Sequence, residues 1–302
     1  MVIQVNRYAQ SGQALVAVIL VMVIALTVAL SIATRNVTNL QLTTEEQNSQ
    51  RALSAAEAGI ERSLKSDSTG VIISTPQSIG SAKIERVEVK DTVGSTLLLH
   101  EGKSIGRNNP VDIWLSTYSN TDPSAMYSNP YVGNLLIYWE GPSSCTSNAA
   151  IDIMAIVNPG GGGYDDAFVR HYPVDPCSTR RLTNNFCPNS GSSNCELESG
   201  ANDPNFSFTT PSTTIGNVPF GNLLTLRFDA ANPAMLVRVT SLYAGTKIAI
   251  EGRNAAGQAQ SLPSQGSTIE SIGSSGNTQR KITVNKEHPK LPLELFYTIF
   301  SP

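Results

Sequence analysis

The sequence predicts an α+β protein in which one long N-terminal helix precedes an antiparallel, β-rich, sandwich-like region. Residues 14–32 contain no charged side chain, and no glycine or proline occurs between Gly12 and Gly59. Nothing therefore interrupts a helix over that stretch. After about Ser66 the pattern changes to short β-branched or alternating runs separated by Gly, Pro, Ser and Asn, which is typical of strands and turns.

The apolar run at residues 14–32 is long enough to span a bilayer as a helix. Arg7 precedes this run, whereas Arg35, which follows it, is soon joined by Glu45 and Glu46. This small excess of positive charge before the run predicts that the N-terminus faces the cytoplasm.

The helix is predicted to continue far beyond the membrane, over residues 13–65 in all. At ~1.5 Å per residue the uninterrupted part measures roughly 70 Å, about twice what a bilayer needs. Its outer half carries Leu53, Ala56, Ile60 and Leu64 along one stripe. A stripe at this spacing can pack on a globular domain, and small residues near it permit close approach to a sheet or to a neighbouring helix.

Two segments of the helix resemble the N-terminal region of PilX-like minor type IV pilins and pseudopilins. They are SGQAL at residues 11–15 and RALSAAEAGIE at residues 51–61, on either side of the apolar run. The resemblance covers about residues 8–64. It implies a structural or priming subunit of a type IV pilus or a type II secretion-like filament.

The resemblance also implies how the N-terminus is processed. A prepilin leader, residues 1–12, would be removed by prepilin peptidase at the cytoplasmic face of the membrane, between Gly12 and Gln13. The new amine on Gln13 would be a candidate for methylation. Ala17 stands at the fifth mature position, where classical pilins carry a glutamate. This departure favours a minor subunit over a repeating major pilin, and the alternative is a signal anchor that is never cleaved.

The same resemblance implies partners and a location. The partners are other pilin subunits, prepilin peptidase and the assembly machinery in the cytoplasmic membrane. The single-pass precursor would lie in that membrane, and the mature protein in an extracellular filament or at the cell surface.

Residues 66–302 are predicted to form the β-rich exported region, with about twelve short strands. An antiparallel sandwich is favoured over a parallel βαβ sheet. A cysteine-containing insertion over about 92–212 would separate the first strands of a sheet that packs on the helix from the later strands that complete the same sheet. The hairpin at 268–284 resembles the sheet ends of pilin-like domains.

Four cysteines predict two disulfides. Cys145, Cys177, Cys187 and Cys195 lack the paired C-x-x-C spacing of a typical zinc site. An even number of cysteines suits an oxidising compartment, and three pairings are open. The short loop favours Cys187 with Cys195, which leaves Cys145 with Cys177. The alternative is four reduced and buried thiols.

Two tryptophans, Trp114 and Trp139, lie in strand-like runs. An exposed indole could stack on sugar rings of a surface glycan, but a buried tryptophan pair in a sandwich core is the more frequent arrangement.

The sequence contains no catalytic signature. His100, His171 and His288 fall in no metal-binding or triad motif. The glycine-rich run at 159–163 before Asp165 lacks the ending of a phosphate loop and the ladder of a calcium loop, so we interpret it as a hairpin connection. We therefore expect no enzymatic activity, no cofactor and no metal.

The balance of 21 Lys and Arg against 24 Asp and Glu leaves a net charge of −3, so we expect no specific nucleic-acid partner. Three functions of different classes remain. The leading one is the filament subunit described above. The alternative is a membrane-tethered surface adhesin or glycan-binding module, and the third is an extracellular hydrolase on a membrane stalk.

Overall fold

The computed structural model has the predicted α+β architecture, a long N-terminal helix followed by a mostly antiparallel β region. It describes residues 11–66, 70–118, 122, 129–141, 144–145, 147–159, 166–188, 195 and 203–290, with side chains from Leu15 onward. The helices are α1 (Ser11–Ser66) and α2 (Ser178–Asn184). The strands are β1 (Gly70–Ile73), β2 (Gln77–Ile79), β3 (Ala82–Asp91), β4 (Thr96–Leu98), β5 (Pro110–Trp114), β6 (Gly133–Trp139), β7 (Ala150–Val157), β8 (Phe168–Val174), β9 (Phe206–Thr209), β10 (Thr213–Ile215), β11 (Val218–Phe220), β12 (Asn222–Phe228), β13 (Ala234–Leu242), β14 (Ile248–Arg253), β15 (Gly266–Ser275) and β16 (Thr278–Glu287).

The chain divides into two compact units. The helix unit comprises the residues up to Val89 together with Ile269–Val284, and the sandwich unit comprises Lys90–Thr268 and the residues from Asn285 onward. The helix unit is therefore discontinuous in sequence. The inserted unit starts near the predicted residue 92 but extends well past 212, because β12, β13 and β14 pair with β6 and β7 in its two sheets.

In the helix unit, one sheet has the strand order β1-β3-β15-β16, and β2 pairs with β3. The outer half of α1 packs on this sheet through Ala55 and Ile60, which join Ile84, Val87 and Ile269 in one hydrophobic cluster. Only part of the predicted amphipathic stripe is therefore buried, because Leu53 and Leu64 are exposed.

The helix and the sheet approach each other at two glycines. A Cβ atom on Gly59 would overlap Ser271 Oγ and lie 2.8 Å from Val87 Cγ2. A Cβ atom on Gly273 would overlap the carbonyl oxygen of Ala52 and lie 2.6 Å from the amide nitrogen of Ala56. The contact at Gly273 is therefore one of backbone against backbone, and no larger residue fits there without a shift of α1.

The sandwich unit packs two antiparallel sheets face to face. Their strand orders are β4-β14-β6-β12-β9 and β5-β13-β7-β8, and β10 pairs with β11 in a separate hairpin. Because side chains alternate across a strand, every second residue of each sheet points into the shared core. Ile137, Ile153, Leu224 and Val237 are fully buried members of that core.

A buried ion pair lies on neighbouring strands of the four-stranded sheet. The guanidinium of Arg238 on β13 donates to the carboxylate of Asp112 on β5 through Nε at 2.6 Å and Nη2 at 2.8 Å. Both side chains are 2% exposed. Removing one partner would leave the other charge buried and uncompensated, which is costly.

Two disulfides stabilise the segments around β7, β8 and α2. The structure joins Cys145 to Cys177 and Cys187 to Cys195, the pairing that the short-loop argument favoured. The buried carboxylate of Asp175 accepts hydrogen bonds beside the first disulfide from the guanidinium of Arg180 at 2.8 and 2.9 Å, and from the amide of Cys177 at 2.8 Å. Burial opposes ionisation of this carboxyl, but the hydrogen bonds outweigh burial and lower the pKa of Asp175.

Candidate functional site

The first half of α1 is an apolar surface on which none of the described residues packs. Side chains from Leu15 to Ile32 are all exposed, with Leu15 at 64% and Leu30 at 69%. Within the described residues, α1 is the single helix that is long and apolar enough to cross a membrane. It fits a single-pass membrane anchor.

Hydroxyl groups along this surface are satisfied by the helix itself. Thr27 donates to the carbonyl of Ile24 at 2.8 Å, and Thr34 donates to the carbonyl of Leu30 at 2.8 Å. An unsatisfied polar group in hydrocarbon costs several kcal/mol, on the order of 2–7. These threonines can therefore lie in lipid, or against another apolar helix, without a partner from outside α1.

The exposed part of α1 is longer than a membrane requires. Exposure continues from Leu15 through Glu46, a length of about 48 Å against the ~30 Å of a hydrocarbon core. Beyond Arg35 the exposed surface still includes Val37 at 55%, Leu40 at 68% and Leu42 at 58%. The exposed apolar surface of α1 thus extends about three turns beyond residues 14–32, the run that is long enough to span a bilayer.

A groove, here called the helix groove, runs beside this stretch. It has a volume of about 830 Å³ and lies between α1 and the turn that joins β15 to β16. Val37 and Leu40 line it on α1, and Arg280 lines it on β16, where its Nε donates to Ser49 Oγ at 2.8 Å. The groove thus combines apolar and charged lining.

The predicted processing site lies at the very start of α1. Gly12 and Gln13 fall in its first turn, where the side chains lie outside the described residues, as do residues 1–10 of the predicted leader. Ala17 belongs to the exposed apolar surface, and the first carboxylate in α1 is Glu45. The membrane-spanning part of α1 therefore offers no charged group to a neighbour.

Neither tryptophan presents an open face for stacking on a ligand. Trp139 is fully buried in the sandwich core, where its Nε1–H donates to the carbonyl of Ala149 at 3.2 Å. Trp114 is 5% exposed and lies under Tyr118, with ring centroids 4.8 Å apart. The stacking role proposed for the two indoles is thus wrong for Trp139, because burial in the core takes both of its faces.

The three histidines have different surroundings. His171 contacts the carboxylate of Asp152 on the neighbouring strand. His100 Nδ1 lies 3.3 Å from a carboxylate oxygen of Glu287. His288 Nε2 lies 3.0 Å from the carbonyl oxygen of Ser264, and burial lowers the pKa of His288.

Among the described residues, no group of three His, Cys, Asp or Glu side chains is placed to hold a metal ion. The glycine-rich run considered as a phosphate or calcium loop lies outside the described residues from 160 to 165.

One cavity was not predicted from the sequence. It brings Trp114, His100 and His288 together with Glu101 and Glu287 at the edge of β5. These residues come from three separate parts of the chain, and no motif connects them. The one local signal was the sequence His-Glu-Gly at 100–102, which indicates a tight turn but not a site.

Comparison of the chain with protein-family models, with curated proteins and with solved structures finds no match.

Proposed function

We propose that this chain is a minor pilin or pseudopilin, a structural or priming subunit of a type IV pilus or a type II secretion-like filament. One observation carries the proposal. A single unbroken helix of 56 residues, α1, joins an exposed apolar half to a half that packs on a sheet. An ordinary membrane anchor needs neither the continuity nor the extra length.

The exposed stretch past the bilayer supports a filament role. Val37, Leu40 and Leu42 are apolar and exposed. If residues 14–32 span the bilayer, these three side chains would lie outside its hydrocarbon core. Packing against the helices of other pilin subunits would remove these side chains from water. The helix groove beside them offers space for such a neighbour.

Assembly requires α1 to leave the membrane. Lipid favours its apolar residues strongly, so extraction needs work from the assembly machinery in the cytoplasmic membrane. Within the filament, the same surface would exchange lipid for neighbouring helices. Because Ala17 replaces the usual glutamate, no charge pair fixes the register of this subunit on its neighbour. That suits a subunit present in few copies at a tip or at the start of assembly.

Processing of the N-terminus tests the proposal directly. Intact-mass and N-terminal peptide analysis of the protein extracted from membranes should show cleavage between Gly12 and Gln13, with a methyl group on Gln13. A Gly12→Val variant should keep its leader, whereas the matched Ser11→Ala variant should be processed. An intact Met1 in the wild-type protein would count decisively against a pilin and in favour of an uncleaved anchor.

Incorporation into filaments tests the exposed surface. A Leu40→Gln variant should be processed and folded, but its amount in sheared extracellular filaments should fall at least severalfold. A Glu57→Gln variant, changed at an exposed position farther along α1, should be incorporated as the wild type is. Equal incorporation of both variants would show that the stretch past the bilayer makes no subunit contact.

A further inference from the structure

The cavity at the edge of β5, here called the β5 cleft, lies entirely within the sandwich unit and has a volume of about 110 Å³. That volume has room for roughly eight groups the size of a water molecule. Because Glu101 and Glu287 on its lining are exposed, the cleft is open to solvent, so one edge of a sugar ring can enter it while the rest of the ring remains outside. It is too small for a folded partner.

The buried part of the lining is largely apolar and also includes Asp112, which is paired with Arg238. Leu99 at 8%, Val111 at 6% and Trp114 at 5% exposure lie at the bottom of the lining. Trp114 is held in place because Gln265 hydrogen-bonds both its backbone N–H, at 2.9 Å, and its carbonyl, at 2.7 Å. The buried Nε1–H of Trp114 has no hydrogen-bond acceptor among the described residues. Such a donor is costly to leave unpaired, and a ligand hydroxyl could accept from it.

The rim of the cleft carries two accessible carboxylates. Glu101 is 53% and Glu287 is 44% exposed. Glu101 accepts from the amide of Asn285 at 2.7 Å, and this hydrogen bond lowers the pKa of Glu101. Glu287 lies 3.3 Å from His100 and 3.5 Å from Lys290. An ionised carboxylate accepts up to about four hydrogen bonds, so both retain capacity for ligand hydroxyls.

The charges at the rim balance one another locally. Glu287 faces the ammonium of Lys290, and Glu101 lies 3.5 Å from that of Lys103. Burial keeps the ring of His288 neutral near pH 7. Lys286 also lines the cleft, so the lining carries both signs of charge and many donors and acceptors. It suits a neutral molecule rich in hydroxyl groups.

The wall of the cleft has an unusual backbone. His100 and Glu101 are consecutive non-glycine residues in the left-handed region, with φ of 49° and 56°. This conformation is strained for a residue with a side chain, and such residues cluster at binding and active sites. The conformation places both residues on the lining of one cavity.

We propose that the β5 cleft binds one neutral pyranose ring of a glycan, with its hydroxyls on Glu101 and Glu287 and its apolar face on the Leu99 and Val111 floor. One hydroxyl of the sugar accepts from Trp114 Nε1–H. The sugar thus meets the edge of the indole rather than stacking on its face. The proposal rests on the sandwich unit and is independent of filament assembly.

The test uses the full-length chain in a zwitterionic, sugar-free detergent. Saturation-transfer NMR and calorimetry are run with methyl β-galactopyranoside, methyl α-mannopyranoside, methyl β-glucopyranoside and N-acetylglucosamine, and with glycerol as a polyol without a ring. We expect at least one pyranose to bind with a dissociation constant on the order of 1 mM. Glycerol should bind far more weakly.

Charge-neutralising variants locate the site. Glu101→Gln and Glu287→Gln should each weaken binding of that pyranose about tenfold, because a charge-assisted hydrogen bond becomes a neutral one. The matched control is Glu140→Gln, since Glu140 is also a partly exposed carboxylate of this unit and pairs with Lys247 at 3.3 Å. The control should bind as the wild type does.

Three outcomes would overturn the proposal. They are no binding of any pyranose, equal binding of glycerol, and wild-type affinity in both cleft variants. Thermal melts of each variant establish that the sandwich unit is folded, so that lost binding is not mistaken for lost structure. Because N-terminal processing is read separately, failure here leaves the filament proposal untouched.

Discussion

Substitution of Gly273 by alanine should loosen the contact between α1 and its sheet. The new methyl group would meet the carbonyl of Ala52 and the amide of Ala56, which are backbone atoms that cannot rotate away. Overpacking of a core costs about 1–3 kcal/mol, and the rigidity of the neighbours places this site near the upper end, at about 3 kcal/mol. The helix unit should then unfold roughly 10 °C lower, at about 4 °C per kcal/mol.

Trypsin provides a local assay for this loss. Arg51 and Arg62 are exposed on α1, and their peptide bonds resist cleavage only while that part of the helix is folded. Pulse proteolysis of the full-length chain across a urea series should give a lower midpoint for Gly273→Ala than for the wild type. The control is Gly94→Ala, whose Cβ would lie 3.1 Å from the flexible end of Leu97. If the two variants share one midpoint, the backbone contact at Gly273 is not tight.

Three further changes test the sandwich unit. Replacing Cys145 and Cys177 together by serine should lower the free energy of unfolding by about 3–4 kcal/mol, because their disulfide closes a loop with a sequence separation of 32. Asp175→Asn should lower the free energy of unfolding, and the difference from the wild type should be largest above about pH 4. This difference should shrink as the pH falls through the lowered native pKa of Asp175. Asp112→Ala should cost about 3–5 kcal/mol, whereas the double change to Leu at Asp112 and Met at Arg238 should cost much less.

Denaturant titrations of each variant measure these free energies. The disulfide account fails if the wild type and the double serine variant differ in stability when both are reduced, since reduction also opens Cys187–Cys195 in each of them. For Asp175 the sign is fixed, since a carboxyl with a depressed native pKa stabilises the fold above its unfolded value and loses that contribution in acid. If the stability difference between Asp175→Asn and the wild type did not change with pH, this account of Asp175 would be contradicted. For the ion pair, the double variant could prove as unstable as Asp112→Ala. That result would show that the cost of Asp112→Ala does not come from leaving the charge of Arg238 buried without a partner.

Local sequence patterns were sufficient to predict α1. The prediction of residues 13–65 matches Ser11–Ser66 within two residues, because hydropathy and the absence of Gly and Pro act along one segment. The apolar run at residues 135–137 likewise lies in β6, as expected of a buried strand. Features of this kind depend on neighbours in sequence.

Short strands and long-range assemblies were not predictable in the same way. The sequence predicted about twelve strands, whereas the described residues form sixteen. Short strands such as β9, β10 and β11 have three or four residues and lie among Pro and Gly, which leaves little pattern to detect. The predicted insertion ended too early, at about residue 212, because the sequence does not indicate which sheet each strand will join. The β5 cleft depends on the left-handed turn at His100 and on residues near Glu287, which only the folded chain brings together.

The division of the helix unit in sequence has a consequence for biogenesis. Strands β15 and β16 are made long after α1, so the buried residues Ala55 and Ile60 lack part of their sheet while the intervening chain is synthesised. The sandwich unit has almost all of its strands in one continuous stretch and can mature earlier. A chain truncated within the insert would therefore never complete the sheet on which α1 packs.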